Sequence, residues 1–161
     1  MSDTGSAQTE TDESLEVRME RVLPATPEEA FDAYTDAEQQ KIWFSILDEN
    51  AGVVEIETDL RVGGIQTAVW GPDQDTLFRE VQTFLEIERP HRLLTESVGS
   101  TPDGMEMTTH IEVRFEAIDD ERTRMLVRQW GFPTPEIRDF FESMAWVGAL
   151  DRIEAYLRSK G

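Results

Sequence analysis

Cysteine is absent from the 161 residues of this chain, and lysine occurs only at Lys41 and Lys160. Without cysteine there is no disulfide and no thiolate chemistry. No segment approaches the ~18 consecutive apolar residues of a membrane span, so we expect no insertion into a membrane. No basic segment followed by an apolar run occurs near the amino terminus, so we expect no signal peptide and, by default, a cytoplasmic location.

Positive charge is scarce, because 15 basic residues stand against 34 acidic ones, for a net charge of -19. Phosphate backbones and anionic lipid surfaces attract basic patches, so this balance argues against nucleic acid and membrane surfaces as partners. Two explanations of the acidity remain open. It is typical of proteins from a salt-rich cytoplasm, and equally of acidic proteins from GC-rich genomes, which favour arginine codons over lysine codons.

Reactive motifs are also missing. The chain holds neither a nucleophile elbow nor a P-loop, and its two histidines, His91 and His110, lack the spacing of a metal-binding pair. Most carboxylates fall on positions predicted to face solvent. The polar residues expected to face the interior are Gln129 and threonines, which transfer protons poorly at neutral pH. We therefore expect no catalytic constellation, no metal and no cofactor.

What is present is a polar amino-terminal segment followed by one domain-sized unit. Residues 1–14 are rich in Ser, Thr, Asp and Glu, which predicts a disordered tail. Residues 15–161 contain no internal repeat and no second linker, which predicts a single domain. Alternating apolar and polar residues predict strands at 15–23, 53–60, 65–70, 77–88, 92–98, 105–117 and 123–130.

Helices are predicted at three places. Thr26 begins the first, with a proline next to it and a capping-box glutamate at Glu29. A second short helix runs from Asp36 to about Phe44. The longest spans Pro135–Lys160, and its apolar residues recur at steps of three and four, which predicts one broad buried face. These residues are Ile137, Phe140, Phe141, Met144, Val147, Leu150, Ile153 and Leu157.

The order of these elements resembles the START-like superfamily, and more closely the family related to the C-terminal domain of the Hsp90 ATPase activator. The motifs that carry the resemblance lie at 24–31, 35–38, 43–44, 62–64, 89–93 and 145–153. Ala145 departs from the family, which usually has glycine there. The resemblance implies an α+β helix-grip fold, in which a curved antiparallel sheet of about six to seven strands wraps around a long C-terminal helix. It also implies two short helices after the first strand, and a cavity between sheet and helix.

Large aromatic and methionine side chains are candidates for the wall of that cavity, although core packing explains each of them equally well. Gln129 alternates with Met125 and Val127, so its amide points inward and needs a partner, which is a protein group, a trapped water or a ligand. Trp146 lies beside the helix face and is expected to pack under the sheet edge. We expect an apolar or amphipathic small molecule to contact Trp43, Phe44, Trp70, Met107, Gln129, Phe141 and Met144.

Two alternatives stay open. The superfamily also contains cyclase- and hydrolase-like enzymes, which need an acid–base pair in the interior, and an interior ionisable group with a shifted pKa would favour this interpretation. The resemblance to the Hsp90 activator also suggests a co-chaperone-like interaction module with a protein partner of the Hsp90 type. That expectation rests on analogy alone.

Overall fold

The computed structural model describes residues 15–46 and 53–160. The predicted disorder of residues 1–14 lies outside these ranges and stays a prediction. The strands are β1 (Val17–Leu23), β2 (Val53–Thr58), β3 (Ile65–Gly71), β4 (Phe78–Glu88), β5 (Arg92–Ser100), β6 (Glu106–Ala117) and β7 (Thr123–Trp130). The helices are α1 (Pro27–Thr35), α2 (Ala37–Ile46), α3 (Pro135–Phe140), a π-helical segment (Phe141–Ala145) and α4 (Trp146–Lys160).

The strands form one seven-stranded sheet in the order β1-β7-β6-β5-β4-β3-β2. Every neighbouring pair is antiparallel, and β1 closes the far edge by pairing with β7. Burial alternates along the strands as expected for a sheet with one covered face. On β7 the buried residues are Thr123, Met125, Val127 and Gln129. The curved antiparallel sheet, the long C-terminal helix and the two short helices confirm the predicted α+β helix-grip fold.

The first helix starts at the predicted capping box. The Glu29 N–H donates to Thr26 Oγ1 at 3.2 Å, and the Thr26 N–H donates to Glu29 Oε1 at 2.9 Å. The second helix is tied to the first through Trp43, whose indole Nε1 donates to the Ala33 carbonyl at 2.8 Å. Trp43 is 3% exposed, so this aromatic residue positions α2 on α1.

The predicted long helix is present, but it is not uniform, because α3, the π segment and α4 follow one another without a break. Thr134 caps its start, and its Oγ1 accepts from the Ile137 N–H at 3.2 Å. In the π segment the Trp146 N–H donates to the Phe141 carbonyl, five residues back. One such turn adds a residue to the 3.6-residue repeat and rotates the following face by about 100°.

The extra residue changes which side chains of the C-terminal helix face the core. The inward line has a step of five at the π segment and runs through Ile137, Phe141, Trp146, Leu150, Ile153 and Leu157. Phe140 and Met144, predicted on this face, are 54% and 63% exposed. The prediction that Met144 lies on the buried wall is therefore wrong, because a constant 3.6-residue period does not hold across the π segment.

The core lies between the inner face of the sheet and the helices. The C-terminal helix has α1, α2 and β1 among its backbone neighbours. On the strand side, Arg21 reaches this helix and pairs with Asp151 and Glu154, each at 2.9 Å. Within the described ranges, none of the helices combines the length and the apolar character needed to cross a bilayer.

Candidate functional site

The strand register places Glu80 on the inner face of the sheet. Directly paired residues of antiparallel strands point their side chains to the same face. Glu80 pairs with Ala68 on one side and with Gly99 on the other. The full row across β2 to β6 reads Ile56, Ala68, Glu80, Gly99 and Met107. Met107, one of the predicted contact residues, therefore shares a row with a carboxyl group.

The next row toward the middle of the sheet is polar. It reads Thr58, Gln66, Gln82, Ser97 and Thr109, and four of the five are buried, the exception being the partly buried Thr58. Thr58 Oγ1 donates to Gln66 Oε1 at 3.0 Å, and Thr95 Oγ1 donates to Gln82 Oε1 at 2.8 Å. Hydrogen bonds within the sheet thus hold these side chains in fixed positions beside Glu80.

The Glu80 carboxyl group is itself hydrogen-bonded, and the residue is partly buried. It accepts from Ser97 Oγ at 2.6 Å and from Gln82 Nε2 at 3.1 Å. Burial raises the pKa of Glu80, and these two hydrogen bonds offset only part of that effect. Burial also raises the pKa of the Tyr34 phenol, with a smaller contribution from Glu80. The expectation that only Gln129 and threonines offer polar groups to the interior is therefore wrong.

Gly99 leaves unfilled space beside Glu80. A Cβ atom built on Gly99 would meet nothing nearer than the Arg79 carbonyl oxygen at 4.0 Å. Glu80, Gly99 and Met107 are all only partly buried, so this space lies near the mouth of the interior rather than at its centre. A ligand atom can take the place of the missing side chain.

Aromatic rings border this space at the same end of the sheet. Trp70 and Phe78 form the pair one row beyond Glu80, and their rings stack with centroids 6.0 Å apart and an interplanar angle of 15°. Phe44 of α2 meets Trp70 edge-on at 5.9 Å, and Trp43 contacts Phe44 at 4.8 Å. Phe78 is 37% exposed, so the aromatic wall extends to the surface.

Gln129 has a protein partner on each side of its amide. Its Nε2 donates to Thr109 Oγ1 at 2.8 Å, and its Oε1 accepts from the Trp146 indole Nε1 at 2.7 Å. Gln129 is 2% exposed and Trp146 is 8% exposed, so both hydrogen bonds are buried. Of the three kinds of partner predicted for this amide, the structure has the protein groups. Contact of Gln129 with a ligand stays a prediction.

Phe141 lies at the beginning of the C-terminal helix, near the end of the sheet that carries Glu80. Its ring packs against Phe132 at 5.1 Å and against Phe140 at 5.7 Å. Because β7 ends at Trp130 and α3 begins at Pro135, the first turns of the helix start from this end. Phe141 is partly buried against the core.

The predicted contact residues therefore fall into separate groups. Trp43, Phe44 and Trp70 form a continuous aromatic chain, and Met107 shares the row of Glu80. Gln129 and Phe141 lie toward the C-terminal helix, whereas Met144 is on the exposed side of that helix. Ligand contact by any of them stays a prediction.

Sequence reasoning missed Glu80. A signal was present, because Glu80 and Gln82 are in phase with the apolar Phe84. Phe84 is 2% exposed, and counting back by twos from it reaches both polar residues.

A second concave region lies at the opposite end of the sheet, around the turn between β6 and β7. It is a cleft of about 520 Å³ lined in part by Glu29, Asp119, Asp120, Arg122 and Lys160. Because most of these lining residues are charged, we interpret this cleft as part of the solvated surface and not as a ligand-binding cavity. Among residues 15–46 and 53–160, no three His, Asp or Glu side chains are grouped so that they could hold a metal ion.

The fold is shared with several solved structures of low sequence identity. A protein from Rhizobium leguminosarum is 19% identical, covers 89% of this chain and 94% of its own, and has a TM-score of 0.74. A protein from Arthrobacter aurescens is 24% identical, covers 91% of this chain and 88% of its own, and has a TM-score of 0.72. DynU16, from the dynemicin biosynthetic locus, is 16% identical, covers 90% of this chain and 48% of its own, and has a TM-score of 0.68.

Comparison with curated protein sequences gives no significant match. A family model described as Activator of Hsp90 ATPase homolog 1-like protein matches residues 24–158, which is most of the chain. The matched segment begins just after β1 and ends in the last turn of α4, so it includes the row of Glu80 and the C-terminal helix. This chain therefore belongs to the Activator of Hsp90 ATPase homolog 1-like family.

Proposed function

We propose that this protein binds a small molecule with an apolar body and a polar group, held between the inner face of the sheet and the C-terminal helix. The observation that carries the proposal is the carboxyl group of Glu80 beside the unfilled space at Gly99. Burial of an ionisable group costs free energy. Carboxyl groups in such positions are often functional, because their altered pKa and their unused hydrogen-bonding capacity act on a bound molecule.

The surroundings of Glu80 match the usual composition of a ligand site. Such sites have mostly apolar and aromatic walls, with a few polar groups that fix the orientation of the ligand. Trp70 and Phe78 supply stacked rings, and Met107 supplies a flexible thioether in the row of Glu80. The polar row through Gln82 and Ser97 supplies hydrogen-bonding groups in fixed positions. An amphipathic molecule can place its apolar part against the aromatic residues and its polar group against the polar row.

A second candidate function is catalysis with Glu80 as general acid. The specific observation is again its carboxyl group, whose pKa is raised by burial, so that it keeps its proton to higher pH than an exposed glutamate does. A general acid works best when its pKa is close to the working pH. In this case Glu80→Gln abolishes turnover of a bound substrate without abolishing binding, whereas a pure binding protein shows no turnover in either form.

A protein partner of the Hsp90 type stays a hypothesis that rests on the description of the family. A pull-down with purified Hsp90 tests it directly, and absence of a complex at micromolar concentrations would dismiss it. The predicted cytoplasmic location stays a prediction as well.

The binding proposal is tested by filling the space beside Glu80. Nile red, a neutral apolar fluorophore, is titrated into the unmodified protein and into Gly99→Leu. We expect binding to weaken by about tenfold or more in Gly99→Leu, because the leucine side chain fills the space that the ligand would occupy; a tenfold change corresponds to ~1.4 kcal/mol. The matched control is Val98→Leu, which enlarges the neighbouring side chain on the other face of β5 and leaves binding unchanged.

Two results would contradict the proposal. One is a folded Gly99→Leu protein that binds Nile red as tightly as the unmodified protein. The other is an unmodified protein that binds no Nile red and, in native mass spectrometry after purification without detergent, retains no small molecule. Thermal unfolding of both variants establishes that they are folded.

A further inference from the structure

Among the described residues, β2 to β6 place no basic side chain on the inner face of the sheet in the three rows around Glu80. The residues that β2 to β6 place on this face, in the row of Glu80 and in the rows on either side of it, are apolar, aromatic, glycine or neutral polar residues. They are Val54, Ile56, Thr58, Gln66, Ala68, Trp70, Phe78, Gln82, Ser97, Gly99, Met107 and Thr109. An anionic ligand would meet Glu80 without any cation on these rows to offset the repulsion.

A positively charged ligand group supplies the cation that these rows lack beside the Glu80 carboxylate. In a partly desolvated site, the attraction between a carboxylate and an ammonium group is stronger than in water. Burial raises the pKa of Glu80, and the opposing influences on it are the hydrogen bonds from Ser97 and Gln82. A bound cation lowers the pKa of a neighbouring carboxyl group and so acts against burial.

The rings of Trp70 and Phe78 also favour a positively charged ligand group. A cation within about 6 Å of an aromatic ring face is attracted by the ring quadrupole, most strongly by tryptophan. Trp70 and Phe78 are stacked on each other and occupy the row next to Glu80 on the same face of the sheet. Diagonal neighbours on one face of a sheet lie ~7–8 Å apart, within reach of long or aromatic side chains. Phe78 is the diagonal neighbour of Gly99, and Trp70 is the diagonal neighbour of Glu80, so a group between Glu80 and Gly99 lies within reach of the carboxyl group and of this end of the ring pair.

The net negative charge of the whole molecule also favours a positively charged ligand. The net charge of the chain is -19. A field of this kind raises the local concentration of cations and speeds their association, and it repels anions.

We propose that the ligand of this site is an amphipathic organic cation, a protonated amine with an apolar body, whose ammonium group lies between Glu80 and the rings of Trp70 and Phe78. This inference rests on the proposed binding function and specifies its ligand class. The N–H donors of an ammonium group suit the Glu80 carboxylate and the Ser97 hydroxyl oxygen beside it, whereas Gln82 turns its amide nitrogen to Glu80 and its oxygen to Thr95. The apolar body then lies along Ala68 and Met107, in the row of Glu80.

The test compares three probes of one length and different charge, which are decylammonium, decanol and decanoate. Each is titrated by calorimetry below its micellar concentration at pH 7 and about 150 mM KCl, which screens attraction to the exposed surface. We expect decylammonium to bind about tenfold or more tightly than decanol, and decanoate to bind most weakly. Glu80→Gln, which preserves shape and removes the charge, abolishes the preference for decylammonium over decanol.

The matched control is Glu57→Gln, which removes the same charge from an exposed position on β2. It leaves the preference unchanged, whereas a general effect of surface charge would lower it equally in both variants. Phe78→Leu gives an independent measurement, because it keeps apolar area and removes a ring. It weakens decylammonium severalfold and decanol little.

Equal binding of decylammonium and decanol, or a preference that survives in folded Glu80→Gln, overturns the assignment of an amine ligand. If decanol still binds and Gly99→Leu still blocks it, the binding function itself stands. If none of the three probes binds to the unmodified protein, the amine assignment is overturned. If Nile red also fails to bind and native mass spectrometry finds no retained small molecule, the binding function is overturned as well.

Discussion

The indole N–H of Trp146 donates to Oε1 of Gln129 at 2.7 Å, and the same amide donates from Nε2 to Thr109 at 2.8 Å. This short chain of hydrogen bonds joins the C-terminal helix to two neighbouring strands, β7 and β6. It depends on the π segment, because the step of five residues from Phe141 brings Trp146 to the inner side of the helix.

The first prediction concerns this connection. Trp146→Phe leaves Gln129 Oε1 without its donor, and Gln129→Leu leaves the indole N–H and the Thr109 hydroxyl group without their partner. Each change is expected to lower the free energy of unfolding by about 1–3 kcal/mol, because a buried polar group is left unpaired. Urea unfolding of both variants and of the double variant measures the effect.

The double variant provides the internal control. If the two residues act through one hydrogen bond, the double variant loses clearly less stability than the two single losses added together. Strict additivity of the two losses would show that packing, and not the hydrogen bond, stabilises this contact.

The second prediction concerns the pH dependence of stability that Glu80 causes. Its pKa is raised from the ordinary value of 4.5 in the folded protein, so the folded state holds this proton more tightly than the unfolded state does. The contribution of Glu80 to stability is therefore complete below about pH 4.5 and is lost as the pH rises through the folded pKa. Glutamine at position 80 does not titrate, so Glu80→Gln gains stability relative to the unmodified protein as the pH rises.

Urea unfolding at a series of pH values between about 4 and 8 measures this difference. Tyr34, the other buried titratable group influenced by Glu80, stays protonated throughout because its own pKa is raised from 10.0. Glu57→Gln, on the exposed face of β2, serves as control and gives a nearly constant difference from the unmodified protein. A constant difference for Glu80→Gln too would mean that its carboxyl group is not buried in solution.

The third prediction concerns Arg92 on the outer face of the sheet. Its guanidinium group pairs with Glu86, with Glu88 at 3.0 Å and with Glu112 at 2.6 Å. Burial alone would raise the pKa of Glu112, but hydrogen bonding to Arg92 and the charges of nearby arginines lower it. Arg92→Met leaves three carboxylates close together, and we expect a loss of about 1–2 kcal/mol in the free energy of unfolding at neutral pH.

The sign of the pH effect follows from the lowered pKa of Glu112. Its stabilising contribution is present above about pH 4.5 and is lost as the pH falls, so the cost of Arg92→Met shrinks in acid. Arg122→Met is the matched control, because Arg122 pairs with Asp119 in an exposed turn and its loss leaves stability almost unchanged. Equal effects of the two substitutions would contradict the distinct role of Arg92.

Much of the fold is encoded in local sequence patterns. On β6, Thr109, Ile111, Val113 and Phe115 alternate with polar residues, and all four are buried, because an antiparallel sheet with one covered face needs that period. The two helix starts were predictable from Thr26 and Thr134, since N-caps act through side chains within three residues of the same turn.

The position of Glu80 was harder to predict, because β4 contains an irregularity. Its pairing with β5 shifts between Phe84 and Glu86, so a residue count from the β4–β5 turn loses phase before it reaches Glu80. Both faces of the strand also mix apolar and charged residues, so composition does not identify the inner face. The error at Met144 has a similar physical origin, because the π segment changes the period inside the C-terminal helix.

The pairing of β1 with β7 sets the order in which this chain can fold during synthesis. Val17 pairs with Gln129 and Leu23 with Thr123, so the chain is extended by about one hundred residues after the end of β1 before the pairing strand emerges from the ribosome. At elongation rates of about 5–20 residues per second, β1 waits for several seconds with an open edge. We expect the hairpins from β2 to β6, whose strands are near neighbours in sequence, to form during that time and β1 to join the sheet late, because its pairing is long-range.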